Sequence, residues 1–197
     1  RLGGLKLEPV RLRNAPLVRL IGCGTALNAC KIGQLAIEIL ARIPAIAHVS
    51  SEFRYNDHVI NPNAIHFAVS QSGETADTLS AVKEIQLKGC EVHGIINVVG
   101  STIARLCGQG VYIHSGPEQA VASTKAFTNM VASLLLFAIR IGRTRSFSRE
   151  RGRKIIESFE EIPKLMESYL SNPGPIDEAV ELVKNAKSVM YLGRGLS

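Results

Sequence analysis

The chain lacks the features that mark a membrane-spanning, secreted or metal-binding protein. No apolar run in its 197 residues approaches the roughly 20 that cross a bilayer, and the N-terminal stretch has no long apolar core of the secretory kind. The four cysteines form no C-x-x-C pair, and no histidine lies at zinc-ligand spacing from them. We therefore expect a reduced, cytoplasmic chain that binds no metal, no cofactor and no membrane.

Positively charged residues only modestly outnumber negatively charged ones. The net charge is +6, with 46% of residues apolar and 20% charged, so the chain can bury a full core. The densest basic stretch, 140–154, contains a single aromatic residue, Phe147, and lies between two helical segments. A solvated connector is favoured there over a nucleic-acid surface, and no nucleic-acid partner is expected. Since the first residue is Arg1, we expect the chain to be part of a longer protein.

Short apolar runs alternate with segments of helical period as far as residue 147. Strands are predicted at 17–22, 46–49, 64–69, 94–99 and 111–114. The segments that follow them are amphipathic, with Met130, Leu134 and Ala138, for example, on one face of a long helix. This alternation predicts an α/β fold: a doubly wound parallel five-stranded sheet with right-handed crossovers and helices on both faces.

The pattern changes at about Ser148, where helical segments continue without strands. Helices are predicted at 149–170 and 176–186, and Pro163 is expected to kink or divide the first of them. Residues 188–197 then repeat the apolar run and Gly-x-Gly of residues 18–26. The predicted organisation is an irregular lead-in (1–16), a first domain (17–147), a helical connector (148–187) and the truncated start of a second copy of that domain (188–197).

The turn after the third predicted strand is rich in neutral hydrogen-bond donors. Ser70, Ser72 and Thr75 carry hydroxyl groups, and Gln71 carries an amide. Backbone N–H groups at the start of a helix have no intrahelical partner and carry partial positive charge, so they stabilise an anion. The turn therefore predicts a phosphate site.

Two observations leave an alternative open for this turn. Ser72 and Thr75 are residue types that cap many helices without binding a ligand. Glu74 and Asp77 are acidic, which suits an empty helix start but competes with a bound anion. The number of donors, and their position after a strand of an open sheet, favour the phosphate site.

The first strand is followed by Gly22-Cys23-Gly24-Thr25, a weak dinucleotide signal. The third glycine of a dinucleotide fingerprint is replaced by Leu27, so this reading is disfavoured. We expect instead a turn whose backbone and Thr25 hydroxyl face the same crevice as the Ser70 turn.

Four segments together carry a family resemblance. Gly22 to Thr25, Ser51-Glu52-Phe53-Arg54-Tyr55, Ser70 to Thr78 and Val121-Ala122-Ser123-Thr124-Lys125-Ala126-Phe127-Thr128 resemble, in order and spacing, the first sugar-isomerase (SIS) domain of the glutamine:fructose-6-phosphate aminotransferase family. The resemblance covers nearly the whole chain from about Val18. Tyr191-Leu192-Gly193-Arg194-Gly195 resembles the start of that family's second SIS domain.

The resemblance implies a site for fructose 6-phosphate. Phosphate-binding roles fall on Ser70, Gln71, Ser72 and Thr75, and sugar-binding roles on Thr25, Ala26, Val121, Ala122 and Ser123. The family commonly has Ser where this chain has Ala26, so one hydrogen bond to the ligand is in question.

The resemblance also implies that the chemistry of the parent enzyme lies outside this chain. In the family, the proton-shuttling glutamate belongs to the second SIS domain, the Schiff-base lysine to the C-terminal tail and the ring-opening histidine to a neighbouring subunit. We therefore expect a homodimer-forming, substrate-binding segment without catalytic residues, separated from its amidotransferase and second SIS domains and inactive alone. The alternatives are a phosphosugar-sensing SIS module of a transcriptional regulator and a stand-alone phosphosugar isomerase.

Overall fold

The chain folds around a five-stranded parallel sheet. The computed structural model describes residues 2–121 and 123–193. The strands are β1 (Val18–Gly22), β2 (Ala45–Val49), β3 (Ile65–Ser70), β4 (Val92–Ile96) and β5 (Gly110–Tyr112). They lie in the order β2-β1-β3-β4-β5, and neighbouring strands are parallel. Since β1, β3 and β4 are buried along their whole lengths, both faces of the sheet are covered, and the predicted α/β fold is confirmed.

Helices cover the two faces of the sheet. The helices of this first unit are α1 (Pro9–Asn14), α2 (Thr25–Ala41), α3 (Ser50–Tyr55), α4 (Ala76–Leu87), α5 (Thr102–Cys107) and α6 (Lys125–Arg143). Two further helices, α7 (Arg149–Leu170) and α8 (Gly174–Val183), belong to a second unit described below. On one face, α3, α4 and α5 enclose an apolar cluster around Ile21, Ala68 and Ile96. On the other, α2 and α6 pack together, and Phe137 of α6 meets Phe67 of β3 edge-on with 4.7 Å between ring centroids.

Helix α6 is a core helix by its packing. Among the described residues it alone has the length and apolar composition to cross a bilayer, but half of its apolar window is buried inside the protein. It packs along α2 so closely that a Cβ atom on Gly33 would lie 3.0 Å from Cβ of Leu134. Core helices of this kind pass the same compositional test as membrane-spanning ones.

The prediction of an irregular lead-in over 1–16 was wrong for its second half. Pro9–Asn14 forms α1, with proline in the first turn, where its missing N–H would have had no helical partner. Leu7 and Leu12 are buried, and the guanidinium group of Arg140 donates to the Leu7 carbonyl at 2.8 Å. The lead-in therefore packs into the domain, although its sequence shows no clear period.

Other elements also differ from the sequence prediction, and β5 covers Gly110–Tyr112 in place of 111–114. Helix α3 was not anticipated, because a six-residue helix directly after a strand has too few turns to establish a period. Strand β4 ends at Ile96 and not at 99, since the Asn97 side chain leaves the ladder to accept from the Ser115 N–H at 2.8 Å and donate to the Gly116 carbonyl at 2.7 Å.

A second compact unit begins after Phe147. Ser148 is the N-cap of its long helix, α7, and its hydroxyl accepts from the Arg151 N–H at 3.2 Å. The helix continues through Pro163 without division. Helix α8 covers a range that begins and ends earlier than predicted, and residues 188–193 form neither helix nor strand. A strand needs a hydrogen-bonded neighbour, which no described residue supplies to 188–193. That this unit is a connector followed by the start of a second SIS domain stays a prediction.

We expect the stability of the first unit to fall between pH 6.5 and pH 4 because of two buried histidines. Burial, followed by the charges of Arg19 and Arg11 respectively, lowers the pKa of His66 and of His93 to about 4. The unfolded chain binds these protons near pH 6.5 and the folded chain does not, so unfolding becomes easier as pH falls through that window, by up to about 1.4 kcal/mol per pH unit for each proton.

The variant His93→Leu should flatten this dependence in urea denaturation measured at pH 7, 6, 5 and 4.5. His114→Asn, which replaces an exposed imidazole at a residue with φ +49°, is the matched control because Asn tolerates positive φ. Identical slopes for His93→Leu and the unaltered chain would contradict the proposed contribution of His93.

Candidate functional site

The candidate site lies where the two neighbouring central strands β1 and β3 end. The two strands pair in parallel, with Ile21 opposite Ala68. From β1 the chain turns into α2 on one face of the sheet, and from β3 it turns into α4 on the other. The two turns therefore separate and leave a crevice between them, which is where open α/β sheets bind their ligands.

Hydroxyl groups hold the shape of the β3–α4 turn. Ser70, which is only 2% exposed, accepts from the Gly73 N–H at 3.0 Å, and Ser72 accepts from the Glu74 N–H at 3.1 Å. Thr75 is the N-cap residue of α4, but its side chain makes no capping bond; its hydroxyl lies 3.3 Å from that of Ser70. The capping alternative therefore does not describe Thr75, whose hydroxyl is turned toward Ser70.

The same hydroxyls retain donors for a ligand. Ser72, which accepts an N–H, still has its own O–H to donate, and of the Ser70 and Thr75 hydroxyls only one donates to the other. The side-chain amide of Gln71 has no hydrogen-bond partner within 2–121 and 123–193. The N–H groups at the start of α4 have no capping side chain. The turn thus combines several uncharged donors with the positive end of a helix, which is the chemistry of a phosphate cradle.

Gly73 lets this turn lie directly against the loop before α5. Its φ is +67°, and a Cβ atom there would lie 1.9 Å from Oγ of Ser101. The Gly73 carbonyl accepts from the Ile103 N–H at 2.9 Å, which fixes the turn to α5. Only glycine fits both the backbone conformation and the space.

The acidic residues beside the turn point away from the crevice. Glu74 accepts from the Thr102 N–H at 2.7 Å, and this backbone bond, with a second from the Thr102 side chain, lowers the pKa of Glu74. Asp77 lies 3.9 Å from the guanidinium group of Arg54. Neither carboxylate lines the cleft, so neither competes there with an anion.

The β1–α2 turn supplies the facing wall. Gly24, with φ +56°, is the N-cap of α2 and has no side chain to cap it, so the first turn of α2 is open toward the cleft at Thr25 and Ala26. Gly22 lets the helix start close to the strand, because a Cβ atom there would lie 3.0 Å from the backbone of Ala26. Ala26 contributes a methyl group and no hydroxyl.

The loop before α6 forms the third wall and brings in a residue that sequence reasoning missed. Glu118 lies in this loop and accepts from the N–H groups of Thr124 and Ala126, each at 3.2 Å, at the start of α6. Its carboxylate is also 3.5 Å from the hydroxyl of Ser123. In the sequence, Glu118 lies three residues before the motif that begins at Val121. No hydrophobic periodicity links it to the start of α6, which follows within that motif.

These three walls enclose a cleft of about 330 Å³, within the range of small-molecule sites. Of the predicted site residues, the structure brings together Thr25, Ala26, Ser70, Gln71, Ser72, Thr75, Val121 and Ser123. Ala122 lies outside the described residues. The lining also includes Cys23, Gly24, Val69, Glu118, Ala120 and Met130. Which of these residues bind a ligand stays a prediction.

Comparison with known proteins identifies the family. A model of the SIS domain matches residues 11–140, which span the sheet, the cleft and most of α6. The chain belongs to the SIS domain family. The resemblance found in the sequence motifs is thereby confirmed.

Two curated relatives illustrate the similarity, and both carry the same name. The chain is 41% identical to a glutamine–fructose-6-phosphate aminotransferase (isomerizing) of Chlorobaculum tepidum over 98% of its own length and 32% of that protein. It is 39% identical to the Thermus thermophilus protein of the same name over 97% of its length and 31% of that protein. The SIS chain thus spans about a third of the length of these relatives.

Solved structures support the same placement. The C-terminal domain of glucosamine-fructose-6-phosphate aminotransferase from Francisella tularensis superposes with a TM-score of 0.84 and 29% identity, over 90% of this chain and 50% of that one. A glucosamine-6-phosphate deaminase from Thermotoga maritima superposes with a TM-score of 0.63 at 20% identity, over 79% and 48% of the two chains, and shares the fold.

We expect Gly73→Ala to destabilise the SIS chain more than Gly89→Ala does. Both residues have positive φ, but a Cβ atom on Gly89 meets nothing within 4 Å, whereas one on Gly73 collides with Ser101. Overpacking at Gly73 should lower the free energy of unfolding by about 1–3 kcal/mol beyond the backbone strain that both variants share. Urea denaturation of the two variants measures this difference, and equal losses would contradict the close contact between the turn and Ser101.

Proposed function

We propose that this chain is the fructose-6-phosphate-binding half of the isomerase part of a glutamine:fructose-6-phosphate aminotransferase, which makes glucosamine 6-phosphate for amino-sugar synthesis. The proposal rests above all on the β3–α4 turn, which presents hydroxyl, amide and helix-start donors to a cleft. Among its described lining residues that cleft has no Lys or Arg. The names of the relatives, matched over nearly all of this chain, support the same reading.

The phosphate group binds at the β3–α4 turn. Ser70, Ser72 and Thr75 donate their hydroxyl hydrogens to phosphate oxygens, and the Gln71 amide adds a further donor. The partial positive charge of α4 offsets the charge of the phosphate without a basic side chain. Because the serine oxygens are already fixed by backbone N–H groups, little ordering is needed when the ligand arrives.

The sugar lies between the β1–α2 turn and the loop before α6. Thr25 and Ser123 supply hydroxyl groups to the sugar, with the backbone around Val121 and Ala122 beside them. Ala26 removes one donor from this wall, so the hydrogen bond that the family's usual serine makes is absent here. Sugar recognition then depends more heavily on Thr25 and Ser123.

The chain binds the substrate without supplying the chemistry. Isomerisation moves a proton between neighbouring carbon atoms and needs a base within hydrogen-bond reach of it. Glu74 is held at the start of α5, and Glu118 is held by the N–H groups at the start of α6. Glu74 lies outside the cleft, and the oxygens of Glu118 are engaged by backbone N–H groups, so we assign the catalytic groups to the rest of the parent chain and to a second subunit of a cytoplasmic homodimer.

We expect Thr75→Val to weaken fructose 6-phosphate binding by about tenfold or more, since a hydrogen bond to a charged group is lost. The fold should persist because the Thr75 side chain makes no capping bond. Ser80→Ala is the matched control, because Ser80 lies on the same helix and its hydroxyl donates to the Ala76 carbonyl of that helix.

Calorimetric titration of both variants with fructose 6-phosphate, glucose 6-phosphate, inorganic phosphate and fructose measures the effect. Fructose should not bind, because it lacks the phosphate group. Equal affinities of Thr75→Val and Ser80→Ala for fructose 6-phosphate would contradict the phosphate site.

The 197-residue chain should form no glucosamine 6-phosphate from fructose 6-phosphate and ammonia. The physical reason is the lack of a positioned base in the cleft, and the measurement is product detection by mass spectrometry at saturating sugar. Release of glucose 6-phosphate in the same mixture would favour a stand-alone phosphosugar isomerase, and release of glucosamine 6-phosphate would overturn the assignment of catalysis to the missing domains.

A further inference from the structure

Glu118 is the one charged side chain among the described residues that line the cleft. It is half-buried, and its carboxylate lies at the start of α6, where it accepts the N–H groups of Thr124 and Ala126. The hydroxyls of Ser123 and Thr124 lie 3.5 Å from its two oxygens. These contacts fix the position of its negative charge.

Three helices begin at the cleft, and they differ in how their starts are satisfied. The starts of α2 and α4 have no side-chain cap. The start of α6 is covered by the carboxylate of Glu118. A helix start carries roughly half a positive charge, so the full negative charge of Glu118 makes the lining of the α6 wall negative, while the linings formed by α2 and α4 stay positive. Lys125, the first residue of α6, is exposed and is not among the described residues that line the cleft. The electrostatic potential therefore differs across the cleft: it is negative at the α6 wall and positive at the walls formed by α2 and α4.

We infer that Glu118 determines specificity: it directs the single phosphate group of the ligand to the β3–α4 turn and excludes sugars that carry a second phosphate group at the α6 wall. This inference rests on the proposed function, since it concerns the ligand of the same cleft. Uncharged sugar hydroxyls tolerate a neighbouring carboxylate and can donate to it, whereas a phosphate group in that place is repelled. Fructose 1,6-bisphosphate, with a phosphate group at each end, is the probe.

The test compares Glu118→Gln with two matched variants. Gln keeps a carbonyl oxygen that can accept the Thr124 and Ala126 N–H groups, and it removes only the charge. Glu118→Asp keeps the charge. Glu91→Gln removes a charge from an exposed residue that precedes β4, at the opposite end of the strands, and leaves the same net charge as Glu118→Gln.

Calorimetric titration of the whole chain with fructose 6-phosphate and with fructose 1,6-bisphosphate measures the ratio of the two dissociation constants. The unaltered chain should prefer fructose 6-phosphate by about fivefold or more, the effect of one unit charge at contact distance in water. Glu118→Gln should reduce this preference by about fivefold through tighter bisphosphate binding, whereas Glu118→Asp and Glu91→Gln should keep it. In the unaltered chain the preference should also shrink at high salt, because salt screens the repulsion by Glu118. This measurement does not depend on the folding of any variant.

The outcomes separate this inference from the proposed function. If the unaltered chain does not bind fructose 6-phosphate, the proposed function fails. If it binds fructose 6-phosphate and the preference survives Glu118→Gln, or survives high salt, the role of Glu118 is overturned. A loss of preference in Glu91→Gln as large as in Glu118→Gln overturns it as well, because net charge alone would then explain the effect.

Discussion

Parallel pairing of β1 with β3 is the constraint on which the site depends. The two strands are neighbours, yet the chain between them leaves the sheet through α2, adds β2 at the edge and returns past α3. The two crossovers carry α2 and α4 to opposite faces of the sheet, so the turns after β1 and β3 part from each other. The crevice is a consequence of chain topology, and the residues in the two turns determine only what it binds. Gly22 and Gly73 serve this geometry by letting each turn lie close to its neighbour.

The placement of three carboxylates determines whether the crevice can accept an anion. Glu74, Asp77 and Glu118 all follow the strands close to the crevice, and Glu74 and Asp77 lie in or beside the proposed phosphate-binding turn. Glu74 is used at the start of α5 and Asp77 faces Arg54, which leaves the β3–α4 turn free of negative charge. Glu118 remains at the cleft, on the opposite wall. The proposed binding of an anion by neutral donors therefore depends on where the acidic side chains near the cleft are held: Glu74 at the start of α5 and Asp77 beside Arg54.

Much of this arrangement was predictable, because strands buried on both faces and amphipathic helices leave periodic signals, and the order of elements then implies the sheet. The Ser70 turn was recognisable as an excess of donors at a helix start. Glu118 was not, because a side chain that reaches a helix start several residues later leaves no period in the sequence. Helix α1 and helix α3 were missed for a related reason: each has six residues, and burial of Leu12 and Phe53 stabilises them where local propensity is weak.

A buried cation elsewhere in this domain gives a physical reason why the proposed phosphate site has no basic side chain. Arg19 of β1 is 5% exposed; one of its nitrogens donates to the Val59 carbonyl at 3.2 Å, and its guanidinium group lies 5.6 Å from the centre of the Phe53 ring. Its remaining nitrogens have no partner among the described residues, so its burial costs free energy that apolar packing must offset. A lysine or arginine beneath the phosphate would add a second such cost whenever the cleft is empty. Hydroxyls and helix-start N–H groups avoid it, because the serine oxygens are already hydrogen-bonded within the turn and the remaining donors face water.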